Sequence, residues 1–71
     1  MEYRTIVEFL TYAVGAERAV RITTIDDQTV VGIPTSLDQH PTALEVYLHP
    51  IGDDATEIAL GLTRIELVEL V

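Results

Sequence analysis

The sequence contains no cysteine, no tryptophan and no lysine. Without cysteine there is no disulfide framework, no thiolate metal site and no cysteine nucleophile, and the redox compartment is left open. Without lysine, all positive side-chain charge rests on Arg4, Arg18, Arg21 and Arg64, set against 12 Asp and Glu for a formal net charge of −8. Nucleic-acid binders draw most of their affinity from cations that neutralise phosphates, so this balance argues against strong binding to an RNA or DNA backbone. Long apolar runs are also missing. The opening "MEYRTIVEFLTYAVGA" ends in small residues, as a secretory leader does, but Glu2 offsets Arg4 and Glu8 interrupts the apolar stretch. What remains is too short for a leader and far too short to span a bilayer, so the expectation is a cytoplasmic protein with no membrane partner. Phosphate-binding glycine loops and dinucleotide fingerprints are absent too. The chain is therefore read as no enzyme, with no small-molecule cofactor.

What is present fits one small domain, residues 1–71. Chains of this size bury only about 60% of the surface they expose when unfolded. Small domains without disulfides or metals often gain the missing burial by associating with copies of themselves.

Tyr3, Ile6, Val7, Leu10 and Val14 recur at helical spacing, widened by Phe9 and Ala13, and predict an amphipathic helix over about residues 2–14. Gly15 is the expected left-handed cap, and Glu2 lies where the helix dipole favours negative charge. The period then switches to two. Val20, Ile22 and Thr24 alternate with Arg21 and Thr23, and Asp26, Asp27 and Gln28 make a turn before Thr29 resumes the β-branched pattern. A second strand is predicted from Thr29 to about Leu37, with Gly32 allowing a bulge or bend and Pro34 confined to an edge or irregular point. After the turn "DQHP", Leu44, Val46 and Leu48 alternate with Glu45, Tyr47 and His49 in a third strand. A fourth is expected over residues 55–60 with Ile58 and Leu60 inward, and "GLTR" as a helical turn. In the last strand, "IELVELV", Ile65 and Leu67 are assigned to one face and Val68 and Leu70 mostly to the other, so something should cover it.

The pattern predicts a mostly β fold: an N-terminal α-helix followed by a five-stranded, strongly bent SH3-like or Sm-like barrel over about residues 19–71. An OB-fold fits less well, because its helix lies between strands three and four, where this chain has only a turn. A monomeric SH3-like adaptor is an alternative, but peptide grooves of that kind display clustered aromatics, and here there are Phe 1, Tyr 3 and Trp 0.

The stretch "VRITTIDDQTVVGIPTSLDQHPTAL" resembles the first motif of the Sm-like family, with Gly32, Leu37 and Asp38 at matching spacing and Leu44 at the start of strand three. His40 falls where that family has an aromatic residue or histidine that stacks on a base. The position of the base-contacting asparagine holds Thr42, whose hydroxyl lacks an amide's paired donor and acceptor. In the second motif, "ALG" puts Leu60 where the family has arginine, with Arg64 displaced nearby. The resemblance implies a small barrel that forms homo-oligomeric rings by pairing strand four of one subunit with strand five of the next. Ile58, Leu60, Ile65, Leu67, Val68 and Leu70 would then supply the subunit contacts. It also implies a base-binding site at Asp38, His40, Thr42 and Arg64, an RNA role that the acidity disfavours. The leading expectation is a non-enzymatic ring acting as a scaffold or regulatory binding module.

Other chemistry is weaker. Ser36, Asp38 and His40 have the residue types of a hydrolytic triad, but triad members converge from distant segments, whereas these are neighbours on one run. Turn hydrogen bonding from Asp38 explains them better. The pairs Asp26–Asp27 and Asp53–Asp54 lack the glycine and glutamate spacing of a calcium loop. His40 and His49 lack zinc-ligand spacing.

Overall fold

The computed structural model describes residues 1–71. Its elements run α1 (Tyr3–Ala16), β1 (Val20–Thr24), β2 (Thr29–Asp38), β3 (Glu45–His49), β4 (Ile58–Gly61), a 3-10 turn (Leu62–Arg64) and β5 (Ile65–Leu70). One N-terminal helix precedes a five-stranded antiparallel sheet in the order β4-β3-β2-β1-β5. Because β4 and β5 end the sheet and do not pair with each other, hydrogen bonding does not close it into a barrel.

Ile6, Leu10 and Ala13 are buried on one stripe of α1, as the helical spacing predicts. The helix runs to Ala16, two residues beyond the expected end, and Gly15 does not cap it. Glu17 takes the left-handed position at φ 53°. Its amide donates to the Val14 carbonyl at 3.3 Å, and the Arg18 amide donates to that of Ala13 at 3.0 Å. This is the Schellman pair of bonds, built on a glutamate where glycine is usual.

In β1, Val20, Ile22 and Thr24 are buried while Arg21 is exposed, matching the predicted alternation. Thr24 closes the following turn: its hydroxyl accepts from the Gln28 amide at 3.1 Å, and its amide donates to the Gln28 carbonyl at 2.9 Å. The buried hydroxyl therefore does not lack a partner.

β2 serves two half-sheets. Thr29 to Gly32 pair with β1, and Ile33 to Asp38 pair with β3. The bulge lies at Thr35, between the Pro34–Leu48 and Ser36–Tyr47 pairs, and not at Gly32. Gly32 has a different task. A Cβ there would sit 2.5 Å from the His49 carbonyl oxygen and 3.0 Å from Leu48 Cδ1, so the missing side chain lets β3 approach at the handover point. Pro34, buried beside the bulge, sits at an irregular point of the ladder, as expected.

Three strand assignments change. β3 begins at Glu45 and not at Leu44, which is left-handed at φ 47° and ends the preceding turn. β4 begins at Ile58, not at residue 55, because Asp53 organises the preceding residues as a turn: Oδ1 accepts from the Ala55 amide at 3.2 Å and Oδ2 from the Thr56 hydroxyl at 2.7 Å. In β5 the register with β1 shifts between Leu67 and Ile65, leaving Glu66 as the extra residue. That bulge reverses the phase. Ile65 and Val68 both face the core and Leu67 is left outside at 40% exposure, while Leu70, opposite Val20 and on the same side as Val68, is 38% exposed at the strand's end. The core joins Ile6, Leu10 and Ala13 to Val20, Ile22, Val46, Leu48, Leu62, Ile65 and Val68.

Candidate functional site

Three of the four residues proposed for base binding share the β2–β3 turn. Asp38 Oδ1 accepts from the His40 amide at 2.9 Å, the Asx-type bond its position predicts. The Thr42 amide donates to His40 Nδ1 at 3.3 Å, so that nitrogen is an acceptor, and the Thr42 hydroxyl lies 2.8 Å from it. With Nδ1 accepting, the ring carries its proton on Nε2, which is the donor it offers beyond the turn. The His40 carbonyl closes the loop by accepting from the Ala43 and Leu44 amides at 2.8 and 3.1 Å. Leu44 is left-handed at φ 47°, and its carbonyl accepts from the Leu62 amide at 2.7 Å. The 3-10 turn is thereby fastened beside the β2–β3 turn.

Arg64, the fourth residue, leans elsewhere. Its Nη2 is 3.2 Å from Asp26 Oδ2, and its carbonyl accepts from the Ile25 amide at 2.8 Å, so it braces the β1–β2 turn. Asp26 also accepts from the Thr24 hydroxyl. That bond, aided by Arg64, holds its carboxyl below the ordinary value of 3.8.

The residues expected at a subunit contact fall into two groups. Ile58 and Leu60 on β4 are half-buried against the core, and Leu67 and Leu70 on β5 are exposed. Ile65 and Val68 belong to the core of the chain itself. On the free edge of β5, the Val68 amide donates to Met1 Sδ at 3.4 Å.

The outer side of β3 is acidic. Glu45 lies opposite Asp38 in the ladder, and its Oε1 accepts from the Tyr47 hydroxyl at 3.0 Å. That bond, with the nearby charges of Asp38 and Glu57, pushes the Tyr47 phenol above its usual 10.0. Asp53 is held below 3.8, chiefly by the Thr56 hydroxyl. No three His, Asp or Glu side chains converge as metal ligands would.

One feature was not read from the sequence. Val14 and Glu17 at the end of α1 face Ile33, Pro34, Thr35 and His49 across an open cleft of about 430 Å³. The only local signal was an acidic residue just past a helix end, and it was masked by Gly15, the more conventional cap.

No helix is long and apolar enough to cross a membrane. No protein-family model matches the sequence, and no significant match to a curated protein is found.

Proposed function

We propose that this chain is a non-enzymatic, Sm-like protein whose open five-stranded sheet assembles into a cyclic homo-oligomer and serves as a scaffold or regulatory binding module. The observation that carries the reading is the free pair of sheet edges: β4 and β5 terminate the order β4-β3-β2-β1-β5, and neither has a strand partner on its outer side. Exposed edges of this kind invite pairing with another chain. A head-to-tail contact between unlike edges closes into a ring when the rotation permits. The exposed Leu67 and Leu70 and the half-buried Ile58 and Leu60 give that contact an apolar component. Pairing along β5 displaces Met1 Sδ from the Val68 amide, and a backbone carbonyl is a better acceptor than a thioether.

Light scattering coupled to size-exclusion chromatography tests the proposal. A single species at an integral multiple of 7.9 kDa that persists on dilution supports the ring. A monodisperse monomer at micromolar concentration rejects it.

A second reading, RNA binding, is favoured by one observation: the β2–β3 turn sets Asp38, His40 and Thr42 side by side, with the His40 ring exposed. The test is a titration of uridine-rich and adenine-rich RNA at low salt. Salt-sensitive binding that His40→Ala abolishes supports this reading, and absence of binding sinks it.

A further inference from the structure

We infer that the cleft between the end of α1 and the β2–β3 ladder is a binding site for an alkyl-guanidinium group. The walls are Val14, Ile33 and Pro34, and the polar groups are Glu17, Thr35 and His49. Each polar group can present an acceptor. Glu17 supplies a carboxyl group. The Thr35 hydroxyl gives its hydrogen to the Tyr47 carbonyl at 3.2 Å and keeps only lone pairs. His49 Nδ1 lies 3.0 Å from the Pro50 carbonyl, which can only accept, so Nδ1 carries a proton and, in the neutral form of the ring, Nε2 presents a lone pair.

The backbone adds to the same sign. The cleft lies at the C-terminal, negative end of a 14-residue helix that has no basic residue in its last turn. Arg18, next in sequence, is not among the lining residues. A site made of acceptors on apolar walls at a negative helix end selects a planar cation with several donors and an aliphatic stem, and guanidinium supplies this.

Two backbone irregularities meet at the cleft. Glu17 occupies a left-handed conformation that glycine adopts without strain, and Thr35 is the extra residue of the β2 bulge. Such departures persist where the surroundings hold them, and they cluster at binding sites. The inference does not depend on ring formation, because all six lining residues belong to one chain.

The experiment is an NMR titration of the full chain at low ionic strength with agmatine, with N-butylurea as an uncharged control. Saturable shifts confined to the amides around Glu17, Thr35 and His49, absent with N-butylurea, are expected. Glu17→Gln should weaken binding about tenfold, the loss of one charge-assisted bond. Glu17→Gly relieves the left-handed strain, so it should raise the melting temperature while removing binding. Blocked Gly-Arg-Gly tripeptide distinguishes sources: tighter binding than agmatine assigns a protein side chain, and weaker binding assigns a free small molecule. Shifts that fail to saturate, or that are the same in Glu17→Gln, overturn the site.

Discussion

Gly32→Ala tests the account of how β2 passes from one half-sheet to the other. Gly32 does not have a positive φ, so the substitution introduces no backbone strain of the left-handed kind. In an unobstructed strand it would stabilise, since glycine there costs roughly 0.5–1 kcal/mol relative to alanine. The new Cβ, however, would lie 2.5 Å from the His49 carbonyl oxygen and 3.2 Å from its carbon. These are backbone atoms in the ladder, held by the Ile33–His49 and Pro34–Leu48 pairs, and they cannot swing aside as a side chain can. Overpacking of this sort costs about 1–3 kcal/mol, toward the upper end where backbone must move. Offset by the propensity gain, the net loss is about 2 kcal/mol. For a domain this small that corresponds to a fall of roughly 8–16 °C in melting temperature. Circular dichroism melts at matched protein concentration measure it, with Gly15→Ala as control: that helical glycine has nothing within 4 Å of a Cβ, so alanine should stabilise by about 0.5–1 kcal/mol. A Gly32→Ala chain as stable as the parent, with Gly15→Ala behaving as stated, would refute the close-approach argument.

Three other outcomes are expected. Leu62→Ala, at a side chain 1% exposed, should lose about 2–5 kcal/mol by urea denaturation. Asp26 has a folded-state pKa below its ordinary 3.8, so its stabilising contribution is present above 3.8 and is lost as pH falls through the depressed value. The stability gap between the parent and Asp26→Asn should therefore hold at neutral pH and close below 3.8; a gap that widens with acidification would contradict the assignment. Glu57 precedes β4 while Glu66 and Glu69 lie on β5, so pairing these edges brings acidic groups together on copies that each carry −8. Assembly, followed by sedimentation velocity, should strengthen as ionic strength rises from about 0.01 to 0.15 M and the screening length falls from about 30 to 8 Å.

Much of the fold was legible because simple periods carried it. The Ile6, Leu10 and Ala13 stripe and the Val20, Ile22 and Thr24 alternation each depend on a residue's position along its own element. The bulges were not legible in that way. Whether Leu67 or Val68 shares a face with Ile65 is decided by an extra residue at Glu66 measured against β1, and "IELVELV" reads equally well in either phase. The bulge at Thr35 likewise exists only relative to β3, whereas Gly32 advertised an irregularity that proved to be a close approach. At the candidate sites, the turn bond from Asp38 followed from residue type, but the turning of Arg64 toward Asp26 depends on how the 3-10 turn meets a hairpin 38 residues away. The cleft at Glu17 was hidden for the same reason, since its walls come from a helix end and two strands.

The contact between Met1 and Val68 gives the sheet's margin an unusual temper. Sulfur accepts weakly and the methionine stem adapts easily, so this amide is sheltered from water by a cover that can be lifted at little expense. A strand offering one stray carbonyl gains little by lifting it. One that arrives with a whole row of matching groups does, which makes the margin selective for cooperative docking over casual adhesion.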